Sequence, residues 1–155
     1  MRDINKFINK VINLAVVNVT KKNGGPFAAL IVKDNRIVSY GYNKVTSKCD
    51  PTLHAEIDAI RKAAKKLKTF DLAGSEIYCS CQPCPMCLAA IYWANIKTVY
   101  YAGTKEIAEK YKFQDNKIYK ELKTKIKSVN LIPIKTGNAE HAFIAWNNKK
   151  DKILY

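Results

Sequence analysis

A chain of 155 residues, 48% apolar and 26% charged, has the size and make-up of one soluble globular domain with a real core. Its opening, Met1-Arg2-Asp3-Ile4-Asn5-Lys6, puts no apolar run behind a basic start, and its most apolar stretch, residues 87–96, is too short to span a bilayer, so a cytoplasmic protein is expected. The formal net charge of +14 admits either a phosphate-binding surface or solvated lysines; because the lysines are scattered in pairs such as Lys21-Lys22, Lys65-Lys66 and Lys149-Lys150, the second reading is preferred and nucleic acid is not an expected partner.

In chain order, apolar side chains at Ile4, Phe7, Ile8, Val11, Ile12, Ala15 and Val19 recur at helical spacing and predict a helix over residues 4–20, closed by Gly24-Gly25-Pro26. Residues 27–32 and 36–40 read as two strands around an Asp34-Asn35 turn, a hairpin. Pro51 leads into a second helix from about His54 to Leu67, with Ile57, Ile60, Ala64 and Leu67 on one face and Arg61, Lys62, Lys65 and Lys66 turned to water. A third strand follows at residues 76–79, and a helix from Pro85 to about Asn95. A fourth strand is expected at 97–102, a short helix near 116–122, a fifth strand at 129–134 and a last helix over 139–149. A hairpin followed by alternating strands and helices predicts an α/β sandwich with a mixed, five-stranded sheet, forming one domain over residues 1–155.

Four of the five cysteines fall between Cys79 and Cys87. A disulfide framework would disperse them, so the cluster points to metal or catalysis. Pro83-Cys84-Pro85-Met86-Cys87 sits where a loop enters a helix, as does His54-Ala55-Glu56. The start of a helix favours negative charge and therefore the thiolates that zinc needs, and Pro85 suits a first turn. Cys84, Cys87 and a neutral His54 supply three zinc ligands and leave a fourth position for water, the open arrangement of a catalytic site. Zinc brings the pKa of such a water to about 7. Glu56 is then placed to take the water proton, deliver it to a ring nitrogen and protonate a leaving amine. One alternative stays open: Cys79 and Cys81 could join Cys84 and Cys87 in a four-sulfur structural site with no catalytic role. His-x-Glu followed by Pro-Cys-x-x-Cys is otherwise the signature of zinc nucleobase deaminases.

The sequence resembles the cytidine deaminase-like superfamily, and within it the bacterial-type guanine deaminases. Gly24-Gly-Pro-Phe27, Asp50-Pro-Thr-Leu-His-Ala-Glu56, Cys84-Pro-Met-Cys-Leu-Ala-Ala-Ile-Tyr-Trp-Ala94 and Phe113-Gln-Asp-Asn-Lys-Ile-Tyr-Lys120 carry the likeness. The resemblance implies a three-layer α/β/α fold, one zinc ion per chain, a homodimer, and hydrolysis of guanine to xanthine and ammonia. It implies that Asn43 hydrogen-bonds the purine, that Phe27 and Trp93 wall the base, that Asp115 accepts from an imidazole N–H, and that Tyr155, in a tail of about residues 150–155, closes the pocket. By themselves these positions read otherwise: a turn asparagine, two core aromatics, a surface aspartate and a frayed end. Gln82 departs from the glutamate usual before Pro-Cys, removing a charge but neither ligand nor base. The competing enzyme is the tRNA wobble-adenosine deaminase, which shares Asp-Pro-Thr-x-His-Ala-Glu and Pro-Cys-x-x-Cys and would give the basic charge a use.

Overall fold

The computed structural model of the chain describes residues 3–123. Helix α1 (Ile4–Thr20) starts on Asp3, whose side chain accepts the Lys6 N–H at 3.0 Å. Strands β1 (Ala28–Lys33) and β2 (Arg36–Tyr42) form the expected antiparallel hairpin, and Asp34 and Asn35 both take the positive φ that a tight hairpin turn needs. A single-turn helix, α2 (Val45–Lys48), precedes α3 (Ala55–Leu67). Strand β3 (Ser75–Cys81), helix α4 (Pro85–Trp93) and strand β4 (Thr98–Gly103) make a strand–helix–strand crossover, and α5 (Lys105–Lys110) and α6 (Asp115–Leu122) follow.

Among the described residues the sheet has four strands in the order β2-β1-β3-β4. It is mixed, because β3 runs antiparallel to β1 and parallel to β4, as a helical crossover requires. The fifth strand expected at 129–134, the helix over 139–149 and the tail with Tyr155 lie outside the described residues.

Side-chain alternation on β1 divides the core. Ala28, Leu30 and Val32 face α1 with Phe7, Val11, Ala15 and Tyr78, whereas Ala29 and Ile31 face α3 and α4 with Ala55, Ala59, Ala63, Ile77, Cys79 and Ile91. Helices therefore flank both faces, and β1, covered on both, is buried along its length. The alanine stripe of α3 brings that helix very close to β2, and Gly41 is the residue that lets it. A Cβ there would lie 2.5 Å from the Ala59 nitrogen and 2.7 Å from its Cβ. Two of the apolar positions that set the spacing of α1 are exposed, Ile12 (38%) and Val19 (47%), and the buried stripe of Phe7, Val11 and Ala15 ends instead on Asn18, which is fully buried.

Candidate active site

His54 and Cys84 occupy equivalent places, each the residue just before the first turn of a helix, α3 or α4, with extended backbone (φ −70°, ψ 160° and φ −69°, ψ 168°). Neither side chain caps its own helix; both turn toward each other. Cys87, one turn into α4, completes the group. His54 Nδ1 lies 3.7 Å from Cys84 Sγ and 3.6 Å from Cys87 Sγ. Zinc–sulfur and zinc–nitrogen bonds of about 2.3 and 2.0 Å at a tetrahedral angle place the two donor atoms about 3.5 Å apart. The three side chains thus fit one zinc ion without rearrangement, and all their donor atoms lie within 4.8 Å of one another.

Electrostatics agrees with the geometry. The Cys87 thiol and the His54 ring hydrogen-bond to Cys84 and hold its thiol down at about 4. Cys87, whose proton is shared with that thiolate, is pushed up, as is His54 by the same neighbour. Zinc must displace that remaining proton on binding. The four-sulfur alternative fails on placement: Cys79 is sealed in the core facing α3 and α4, and Cys81 points at the Thr104 carbonyl, 3.5 Å away. Burial raises both thiols, that of Cys81 to about 11.

Glu56 follows His54 by two residues and is buried beside the sulfurs, with Oε2 3.3 Å from Cys87 Sγ. Loss of water around it pushes its carboxyl up, so it holds a proton more readily than a surface glutamate.

His54, Cys84 and Glu56 line a cavity of about 220 Å³. Asn43 lies on its wall, directly after β2. Its Oδ1 accepts the N–H groups of Gly25 (3.1 Å) and Val45 (3.3 Å), which fixes the amide. Its Nδ2, with no hydrogen-bond partner among the described residues, remains as a donor. Asp58, one turn along α3 from His54, accepts the Tyr42 N–H at 3.1 Å and pairs with Lys44 at 3.3 Å, so both neighbours of Asn43 are fastened to the helix that carries Glu56.

Asp115, at the first turn of α6, lines the same cavity, half-buried, with its carboxyl raised by burial and then by the Cys84 charge. Phe27 lines it too, and the ring meeting it edge-on, centroids 4.8 Å apart, is Phe113. Trp93 does not reach the cavity: it is 60% exposed and lines a separate apolar groove with Ile57, Ile60 and Phe70, between α3 and α4. Phe113, Val45 and Thr46 are lining residues that sequence reasoning passed over; the Phe-x-Asp segment was the available signal for the first. The α6 wall is secured by Tyr119, whose hydroxyl donates to the Pro83 carbonyl at 2.6 Å. Gln82, in place of the usual glutamate, also lines the cavity, and its Oε1 accepts the Lys105 N–H at 3.4 Å, at the start of α5.

Residues 1–103 match the family described as the cytidine and deoxycytidylate deaminase zinc-binding region. The chain is 43% identical over 151 residues to the guanine deaminase of Bacillus subtilis, covering 96% of this chain and 97% of that one. The crystal structure of a guanine deaminase from Bacillus subtilis superposes with a TM-score of 0.93, at 41% identity, over 97% and 98% of the two chains. A guanine deaminase structure from Nitrosomonas europaea gives a TM-score of 0.67, at 29% identity, over 70% of this chain and 63% of that one. The tRNA-specific adenosine deaminase of Aquifex aeolicus is 39% identical over 83 residues, 54% of this chain and 55% of its own length. With two-thirds of its length matched by the family and its His-Cys-Cys geometry fitted to the metal, the chain belongs to the family of the cytidine and deoxycytidylate deaminase zinc-binding region, and His54, Cys84 and Cys87 are its zinc site.

Proposed function

We propose that this chain hydrolyses free guanine to xanthine and ammonia. The observation that carries the reading is the meeting, in one small cavity, of the zinc ligands His54 and Cys84 and of Glu56 with a fixed amide, Asn43, and a half-buried carboxylate, Asp115. A volume of about 220 Å³ is below the roughly 300 Å³ at which pockets for drug-sized molecules begin, and suits a bare base. The likeness to a guanine deaminase along 96% of the chain, against about half for the tRNA deaminases, supports the same substrate.

Zinc held by these ligands supplies a Lewis acid that lowers the pKa of a water in its open position. Glu56 takes a proton from the attacking water, places it on the ring nitrogen beside the amino-bearing carbon, and returns a proton to the departing amine. Its buried carboxyl, with a raised affinity for protons, is suited to carry one between these atoms. Asn43 Nδ2 donates to an acceptor on the base, Asp115 accepts a ring N–H, and the Phe27 and Phe113 rings exclude water. Tyr155 of the tail closes the pocket in the same reading.

We further infer a homodimer, supported by the exposed apolar groove that holds Trp93 and Phe70; sedimentation of the native chain and of Trp93→Lys tests it. The test of function is ammonia release from guanine, guanosine, cytosine, cytidine, adenine and tRNA. Guanine alone is expected to react. A ribose on the imidazole nitrogen leaves Asp115 without its donor, a buried mismatch that costs several kcal/mol. Inosine formation in tRNA with salt-sensitive binding would overturn the assignment.

A further inference from the structure

The last buried position of the α1 stripe is polar where the pattern calls for an apolar residue. Asn18 is fully buried, and its Nδ2 donates twice, to the Gly25 carbonyl at 2.9 Å and to the Asn43 carbonyl at 2.8 Å. Its Oδ1 has no hydrogen-bond partner among the described residues, an expensive state for a buried acceptor. A side chain chosen only for core stability would not leave that atom unpaired. The two carbonyls it joins belong to the residues that define the amide at the cavity wall: Gly25 gives its N–H to Asn43 Oδ1, and Asn43 is the amide itself.

We propose that Asn18 is a positioning residue for base recognition: reaching across from α1, it clamps residues 25 and 43 together and so sets the direction in which Asn43 Nδ2 points. The clamp works from the face of the sheet opposite to Asp58. Asp58 ties Tyr42 and Lys44 to the helix of Glu56; Asn18 ties Asn43 to the loop before β1. The backbone between them is held from both sides, and Asn43 lines the cavity. Because Asn43 contacts the base in the ground state and the transition state alike, an error in its direction should weaken binding more than turnover. Asn18 touches none of the reacting atoms, and the inference rests on the reading of Asn43 as the base-binding amide.

The test is a double-mutant cycle on the zinc-loaded chain, with guanine turnover, equilibrium binding of 8-azaguanine, zinc content and Tm measured for every variant. Asn18→Leu, close in size but without donors, should keep its zinc. Its KM for guanine and its Kd for 8-azaguanine should rise about tenfold, the equivalent of one good hydrogen bond, while kcat stays within about threefold. Added to Asn43→Ala, the same substitution should change affinity less than about twofold, because the group it orients is gone. If Asn18→Leu does not fold, Asn18→Ser enters the cycle with the same non-additivity expected. Equal losses in both backgrounds, or loss of zinc in step with loss of affinity, would overturn the assignment and make Asn18 a general support. A native chain that neither binds 8-azaguanine nor releases ammonia from guanine sinks the functional reading, and this inference with it; a native chain that does both with an additive cycle sinks this inference alone.

Discussion

Replacing Gly41 with alanine should damage the metal site from the far side of α3. The added Cβ would meet the Ala59 nitrogen at 2.5 Å and the Ala59 Cβ at 2.7 Å, with the Ala55 carbonyl closer still. Carbon atoms rest about 3.5–4.0 Å apart, so the start of α3 must recede from β2 by roughly 1 Å. Ala55 lies between His54 and Glu56, and the backbone that has to move is the backbone that aims both. Overpacking of this kind costs about 1–3 kcal/mol. At the upper end that lowers Tm by roughly 6–12 °C in a domain of this length. A misplacement of about 1 Å at the chemistry can cost about a hundredfold in rate. The variant should therefore remain folded at room temperature, melt earlier, surrender zinc to a chelator faster than the native chain and lose about two orders of magnitude in kcat/KM. Thermal denaturation, chelator-driven zinc release and ammonia production measure the three effects. A Gly41→Ala chain with native melting and native zinc retention would show that β2 and α3 have slack between them, and the argument from close approach would be wrong.

Cys84→Ala and Cys87→Ala should each lose zinc, whereas Cys79→Ala and Cys81→Ala should keep it; metal analysis of the purified chains decides, and a requirement for Cys79 would revive the four-sulfur site. Glu56→Ala should retain zinc and fold but lose at least about 10²–10⁴-fold in turnover, since one carboxyl serves several proton transfers; near-native ammonia release would remove it as the proton carrier. Tyr119→Phe deletes the 2.6 Å bond that fastens α6 to Pro83. The bond is worth about 0.5–1.5 kcal/mol, so KM should rise up to about tenfold with zinc unchanged; an unaltered KM would mean that the α6 wall is held by its other contacts.

The zinc site could be read from the chain because its information is local: two short motifs, each at a helix start, whose spacing already fixes which atoms converge. The strands and long helices were legible for the same reason, since period two and period 3.6 repeat often enough to be counted. What was missed depends on pairings between distant segments. Asn18 and Val19 are neighbours, and apolar patterning favours the valine. Only the approach of the loop at Gly25 and of Asn43 gives a buried amide two carbonyls to satisfy. The place of Trp93 in a groove apart from the cavity of its own chain follows from helical geometry. Trp93 lies six residues beyond Cys87, a rotation of about 240° at 100° per residue, which turns it off the metal-facing side of α4. The short helices α2 and α5 left too few turns for periodicity to register, although Thr104, whose hydroxyl accepts the Ile107 N–H, was a capping signal for the second.

The cavity is built from two parts with different obligations. The zinc ligands, Glu56 and Asn43 all come from residues 1–103, the stretch that matches the family. Phe113 and Asp115 come from the stretch after it, where α6 has no fully buried side chain and is pinned at the metal loop by Tyr119. A lineage with this layout can revise what it accepts without endangering how it reacts. Substitutions at Phe113 and Asp115 would alter the cavity wall without touching a zinc ligand, whereas Ala108 and Tyr119 of the same stretch are tied to the interior and to Pro83. The same layout suits design: a different α5–α6 segment grafted after Gly103 offers a new substrate to an unchanged reaction centre.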